Sequence, residues 1–169
     1  MRAVASPQSF GVDAAIVMYG GTEFLPACFD AIEGVDRVFV IDNAASEDTA
    51  RVAREHGAIY VRNDTNLGYA AAMNQAVALS NASFLLSLNA DCVLHAGYVA
   101  ACAAELEAHP RAAAATGVLR LPDGRIDSTG IEISKDGVAT ARRRPTRRRV
   151  RRRSPSAGDG RARRRRRLC

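Results

Sequence analysis

VFVIDNAASEDTA, residues 38–50, is the stretch on which the fold turns. Val38, Phe39, Val40 and Ile41 form an apolar run with no polar alternation, which predicts a strand buried on both faces, as in a parallel sheet. Asp42 ends the run, and a short loop of small residues leads to Ser46, with Glu47 and Asp48 behind it. A hydroxyl followed by two acids is a helix start, because the side-chain oxygen accepts from the first free amides and the acids suit the positive end of the helix. The helix begun near Ser46 should stop at Gly57.

The same grammar extends outward in both directions. AAIVMY (14–19) is a second apolar run of strand length. Between the two runs Thr22 can cap a helix carrying Phe24, Leu25, Cys28, Phe29 and Ile32 at helical spacing before Gly34. Downstream, residues 58–61 and 84–88 read as strands, residues 69–79 and 95–109 as helices, the last ended by Pro110. Strands alternating with crossover helices predict an α/β layered sheet with right-handed connections and a ligand edge at the carboxyl ends of the strands. After Ala112 the pattern changes to residues 119–121, a turn at Pro122-Asp123-Gly124, residues 126–133, and a turn at Lys135-Asp136-Gly137. These read as antiparallel hairpins appended to the parallel sheet.

Of the 169 residues 47% are hydrophobic, enough for a globular core. The net charge of +6 averages two opposite parts. Residues 1–141 hold 9 Lys+Arg against 17 Asp+Glu, a balance of −8, whereas residues 142–169 hold 15 Arg against Asp159, a balance of +14. The Arg, Pro, Ser and Gly of that tail cannot bury enough apolar surface to offset ordering entropy, so disorder is expected. Without aromatic residues to stack on bases, the tail should meet nucleic acid only non-specifically. The resulting plan is a flexible N-terminus over 1–11, a folded part over 12–140 and an Arg-rich low-complexity tail over 141–169. Four cysteines far apart in sequence (Cys28, Cys92, Cys102, Cys169) argue against a disulfide framework or zinc site. No apolar stretch reaches the length of a membrane span and residues 1–10 lack a signal-peptide core, so a cytoplasmic protein is expected.

At the predicted ligand edge lie Tyr19-Gly20-Gly21, Asp42-Asn43 and Asn89-Ala90-Asp91. A carboxylate ending an apolar strand is costly to bury unless partnered, which makes Asp42 and Asp91 candidates for ligand contact; the alternative for each is that it caps the following turn. Neither a GxGxxG nor a GxxxxGK[ST] pattern is present, so dinucleotide and P-loop ATP machinery is excluded. His56, His95 and His109 have no spaced partner that would suggest a metal or a nucleophile triad.

AAIVMYGG, VFVIDNAASEDT, NDTNLGYAAAMNQA, SFLLSLNADCVL and LPDGRIDSTG together resemble, in order and spacing over about residues 12–140, the first half of inverting family 2 glycosyltransferases, particularly the rhamnosyltransferase-like branch. The resemblance implies a GT-A (Rossmann-like) nucleotide-sugar-binding fold and a UDP or dTDP type donor. It implies that Tyr19 lies near the base and that Asp42 accepts the base imino N–H. It further implies that Asn66 and Gly68 form a loop over the nucleotide, and that Asp91, last in a reduced DxD-type motif, ligates Mg2+ or Mn2+. Asn89 would instead hydrogen-bond a ribose hydroxyl. Asn74 reads as a packing or helix-start residue. Gly20 and Ala45 depart from the family's asparagine and serine. The reaction implied is inverting transfer to a cell-envelope or polysaccharide acceptor, with peripheral membrane association compatible with it. The carboxylate that would serve as general base belongs to a downstream segment; here the adjacent Glu-Asp pair is Glu47-Asp48, at a helix start. A truncated acceptor half, with little transfer by the chain, is therefore expected, and the Arg-rich tail reads as a frame-shifted continuation. Two other readings compete: a sugar-nucleotide nucleotidyltransferase, and a non-enzymatic polyanion-binding protein acting through the tail.

Overall fold

The computed structural model describes residues 11–142; the expectations for the N-terminus and the Arg-rich tail lie outside the described residues. The chain divides into two compact units at Ala115/Thr116.

In the first unit β1 (Val12–Met18), β2 (Arg37–Asp42), β3 (Ile59–Arg62) and β4 (Phe84–Leu88) form one sheet in the order β3-β2-β1-β4. All three pairings are parallel, with Ala14 opposite Val38 on one side of β1 and opposite Leu86 on the other. Period-2 geometry sends alternate residues to opposite faces. Ile16, Met18, Val40 and Leu88 pack with Leu25, Cys28 and Phe29 of α1 (Leu25–Asp30) and Val52 and Ala53 of α2 (Glu47–Glu55). Ala15, Phe39 and Ile41 pack on the other face with Ala72 and Ala76 of α3 (Tyr69–Leu79). That division follows from topology. β1 to β3 advance in one direction and put α1 and α2 on one face; the step from β3 back across the sheet to β4 reverses direction, and a connection of the same hand then lies on the other face. α4 (Tyr98–Ala108) follows β4.

Element starts differ from expectation at two helices, in each case at a glycine. Thr22 does not cap α1: the chain turns through Gly20 and Gly21 (φ 85° and 74°), forms one 3-10 turn over Thr22–Phe24, and enters α1 at Leu25 with Pro26 in its first turn. The Thr22 hydroxyl instead meets the Thr49 hydroxyl of α2 at 2.7 Å. α4 begins at Tyr98 rather than near His95, behind Gly97 at φ 76°. Ser46 caps α2 as expected, its Oγ accepting from Thr49 N at 3.2 Å.

At the amino edge of the sheet Asp13, fully buried, accepts two hydrogen bonds from the Arg37 guanidinium (3.2 and 2.7 Å) and one from Ser80 (2.6 Å). The Arg37 bond holds the Asp13 carboxyl below its ordinary range. The adjoining cleft of about 220 Å3, lined by Asp13, Asp36 and Arg37 among others, therefore presents mostly charge that is already paired.

In the second unit β5 (Leu119–Arg120) pairs with β6 (Ile126–Ser128), and β7 (Ile131–Ile133) with β8 (Ala139–Ala141), both antiparallel. The hairpins and their turns are as expected, but they form two sheets of their own rather than an extension of the parallel sheet. The expected single strand 126–133 is broken at Thr129-Gly130, where Gly130 takes φ 128°.

Candidate functional site at the carboxyl edge of the sheet

Parallel strands end on one edge, so topology alone brings together residues 19–21 after β1, 42–46 after β2, 63–68 after β3 and 89–92 after β4. Strand order reverses between β1 and β4, and Tyr19-Gly20-Gly21 and Asn89-Ala90-Asp91 follow the two strands at that switch point, the place where open α/β sheets take their ligands. Tyr19 is 70% exposed there, and Asn89 and Asp91 are also exposed.

Asp91 follows β4 as an exposed carboxylate. The Cys92 thiol lies 4.0 Å from its Oδ1. The turn bearing it is held through the Asn89 carbonyl, which accepts from Cys92 N at 3.1 Å and from the buried Cys28 thiol at 3.7 Å. Burial pushes the Cys28 thiol up to about 12, so it stays neutral and serves packing.

Asp42 does something else. It is fully buried, and its two oxygens accept three hydrogen bonds: from Ala44 N and Ser46 N, both at 2.8 Å, and from the Tyr60 hydroxyl at 2.9 Å. Burial and this bond push the Tyr60 hydroxyl up to about 12. As placed, Asp42 has no surface to offer a base, and the turn-capping alternative describes its geometry. The carboxylate brackets Ala45, whose φ of 53° is left-handed and costs a non-glycine residue roughly 1–2 kcal/mol. The clamp on both neighbours holds that conformation in place.

The loop after β3 is equally specified. Asn66 Oδ1 accepts from Gly68 N at 2.9 Å, an Asx turn that leads directly into α3. Gly68 has φ 80° and ψ 163°, a backbone state that glycine alone adopts without strain. Tyr69 begins α3 with its hydroxyl 2.7 Å from Ser87 Oγ of β4. Asn74 is exposed within α3, neither at its start nor in its packed face.

Asn43, expected at this edge beside Asp42, is joined there by two residues that sequence reasoning missed, Asn63 and Gln75. Asn43 is 4% and Asn63 7% exposed. Asn63 Nδ2 donates to Asn43 Oδ1 and to Gln75 Oε1, Gln75 Nε2 donates back to Asn63 Oδ1, all at 2.9 Å, and Asn43 Nδ2 donates to the Gly68 carbonyl at 3.4 Å. Asn63 follows β3 on the same edge as Asp42-Asn43, and that position was the available cue.

His56 stacks on Phe29 (centroids 4.6 Å apart), and His109 Nδ1 lies 2.9 Å from the Glu105 carbonyl. Among the described residues no group of three or more His, Cys, Asp or Glu side chains is placed to hold a metal by itself. Nor is any described helix long and apolar enough to cross a membrane.

The family model of glycosyl transferase family 2 matches residues 13–164. The chain belongs to that family. The matched span covers the parallel sheet and its edge loops, both hairpins, and part of the Arg-rich segment. An uncharacterized glycosyltransferase of Mycobacterium tuberculosis is 35% identical over 85 residues, which are 50% of this chain and 38% of that protein. A TPR repeat-containing protein of Synechococcus elongatus is 31% identical over 81 residues, 47% of this chain and 20% of that one. The chain thus spans well under half the length of these relatives. Among solved structures, the mannosyltransferase PcManGT from Pyrobaculum calidifontis, in complex with GDP-Man and Mn2+, superposes with a TM-score of 0.56 at 22% identity, covering 66% of this chain and 36% of that one. At that identity the likeness concerns the fold: the parallel sheet with flanking helices is a GT-A, Rossmann-like arrangement.

Proposed function

We propose that the carboxyl edge binds a nucleoside diphosphate sugar together with Mg2+ or Mn2+, as the donor site of a glycosyltransferase. The observation that carries this reading is the exposed Asp91 at the end of β4, beside the β1/β4 switch point, in a chain of this family. One hard carboxylate oxygen suits Mg2+ or Mn2+, which bind through one or two protein carboxylates with substrate phosphates and water filling the remaining positions. The bound ion would neutralise charge on the diphosphate leaving group. PcManGT, crystallised with a nucleotide sugar and Mn2+, supports the same class of ligand. Tyr19 and Asn89, which follow β1 and β4, are the candidates for base and ribose contact, with the Asn66–Gly68 loop on the same carboxyl edge.

The finer form of the proposal is a UDP or dTDP sugar as donor and inverting transfer of the rhamnosyltransferase-like kind to an envelope or polysaccharide acceptor. The pyrimidine preference rested on Asp42, whose oxygens are occupied by Ala44, Ser46 and Tyr60, so the base is the part of the reading that most needs measurement. Glu47 and Asp48 sit exposed at the start of α2, with Glu47 paired to Arg62 at 2.9 Å, and are not proposed as the general base of transfer.

Calorimetric titration with UDP, dTDP, GDP and ADP sugars, with and without Mn2+, tests this. Metal-dependent binding that Asp91→Ala removes, with the melting temperature unchanged, is expected. Metal-independent binding, or full metal dependence in Asp91→Ala, overturns the role of Asp91. Equal affinity for ADP and UDP sugars overturns the pyrimidine preference.

A further inference from the structure

Asn43 and Asn63, both buried, and the partly buried Gln75 form a chain of amides whose hydrogen bonds have a direction and end on the Gly68 carbonyl. Asn63 uses both sides of its amide toward two neighbours: both N–H groups donate, to Asn43 and Gln75, and the carbonyl accepts from Gln75. Turning the Asn63 amide over would set its oxygen against the oxygens of both neighbours. Reversing all three amides together would repair those contacts, but would then aim Asn43 Oδ1 at the Gly68 carbonyl. The Gly68 carbonyl therefore breaks the tie, and conversely the Asn63–Gln75 clasp is what keeps the Asn43 amide N–H turned toward it.

Gly68 is accordingly gripped at both ends, its N–H by Asn66 Oδ1 and its carbonyl by Asn43 Nδ2 and by Ala72 N at 3.2 Å, the first hydrogen bond of α3. Gln75 lies nearly two helical turns into α3 and Asn63 is buried at the end of β3, so neither stands at the exposed rim with Tyr19 and Asp91.

We propose that Asn63 and Gln75 are positioning residues for the donor site: through Asn43 their paired amides set the Asn66–Gly68 loop in its binding shape before the nucleotide arrives. This rests on the reading of the carboxyl edge as a donor site. The gain is preorganisation, since a loop already ordered loses less entropy on binding.

The test compares the unmodified chain with Gln75→Met, which keeps side-chain length and removes both amide bonds, and with Gln75→Ala in case the thioether repacks. Amide hydrogen exchange reads the loop directly. Exchange at residues 67–69 should accelerate about tenfold, while β1 and β2 keep their protection to within about twofold. Affinity for a UDP sugar with Mn2+ should fall by a similar factor. Unchanged loop exchange in both variants overturns the proposal, as does acceleration shared equally by β1 and β2, which is the mark of a purely structural role. If the unmodified chain binds no nucleotide sugar, the donor reading falls while the exchange comparison still decides whether the amides hold the loop.

Discussion

Apolar strand residues have opposite fates in the parallel sheet and in the hairpins. Six of the seven residues of β1 are buried, whereas Ile131 and Ile133 of β7 are 67% and 75% exposed and Val138 beside β8 is 56% exposed. A central strand flanked by helices on both faces buries each side chain whatever its parity. A two-stranded hairpin by itself has no layer to cover either face. Exposed apolar residues in the hairpins thus contribute little to holding the described fold, and the stability of the chain resides in the three-layered first unit.

The contrast can be broken most directly at Phe39. It is 1% exposed, packs with Ala72 and Ala76 of α3, and lies under the Arg37 guanidinium 5.2 Å from the ring centre. Phe39→Ala should cost about 3–5 kcal/mol of unfolding free energy by urea titration. A loss under about 1 kcal/mol would mean that α3 does not seal that face.

Arg37→Met sharpens the comparison at the amino edge. Removing Arg37 leaves the buried Asp13 carboxylate without its partner, but the Arg37 side chain keeps 38% of its surface in water, so a loss smaller than that at Phe39 is expected. Its pH dependence has a definite sign. The Asp13 carboxyl is held below its ordinary value of 3.8, so the pair's contribution is fully present above that pH and is lost as pH falls through the lower folded value. The gap between the two proteins should therefore narrow below about pH 4. A gap independent of pH would assign the loss to the stacking on Phe39 instead.

Ile133→Ala gives the smallest effect, within about 0.5 kcal/mol, because an exposed side chain leaves no cavity. A loss above about 2 kcal/mol would show that the face carrying Ile133 is covered in solution.

Much of this was legible beforehand. The uninterrupted runs 14–19 and 38–41 marked buried parallel strands, and residues 69–79 and 84–88 matched α3 and β4 in full. The site was legible in position rather than in role. A carboxylate after an apolar strand gave the same signal at Asp42 and Asp91, yet one is clamped by Ala44, Ser46 and Tyr60 while the other is exposed. Tyr60 is 18 residues from Asp42, and no local pattern links them.

Sequence by itself determined the alternation of strands and helices, and with it the edge where residues 19–21, 42–46, 63–68 and 89–92 must gather, because periodicity and turn chemistry act over a few residues. Tertiary structure alone decided which of those polar groups are already satisfied. Hydrogen bonds between Asp42 and Tyr60, or among Asn43, Asn63 and Gln75, join residues 12 to 20 positions apart and exist only once β2, β3 and α3 have packed.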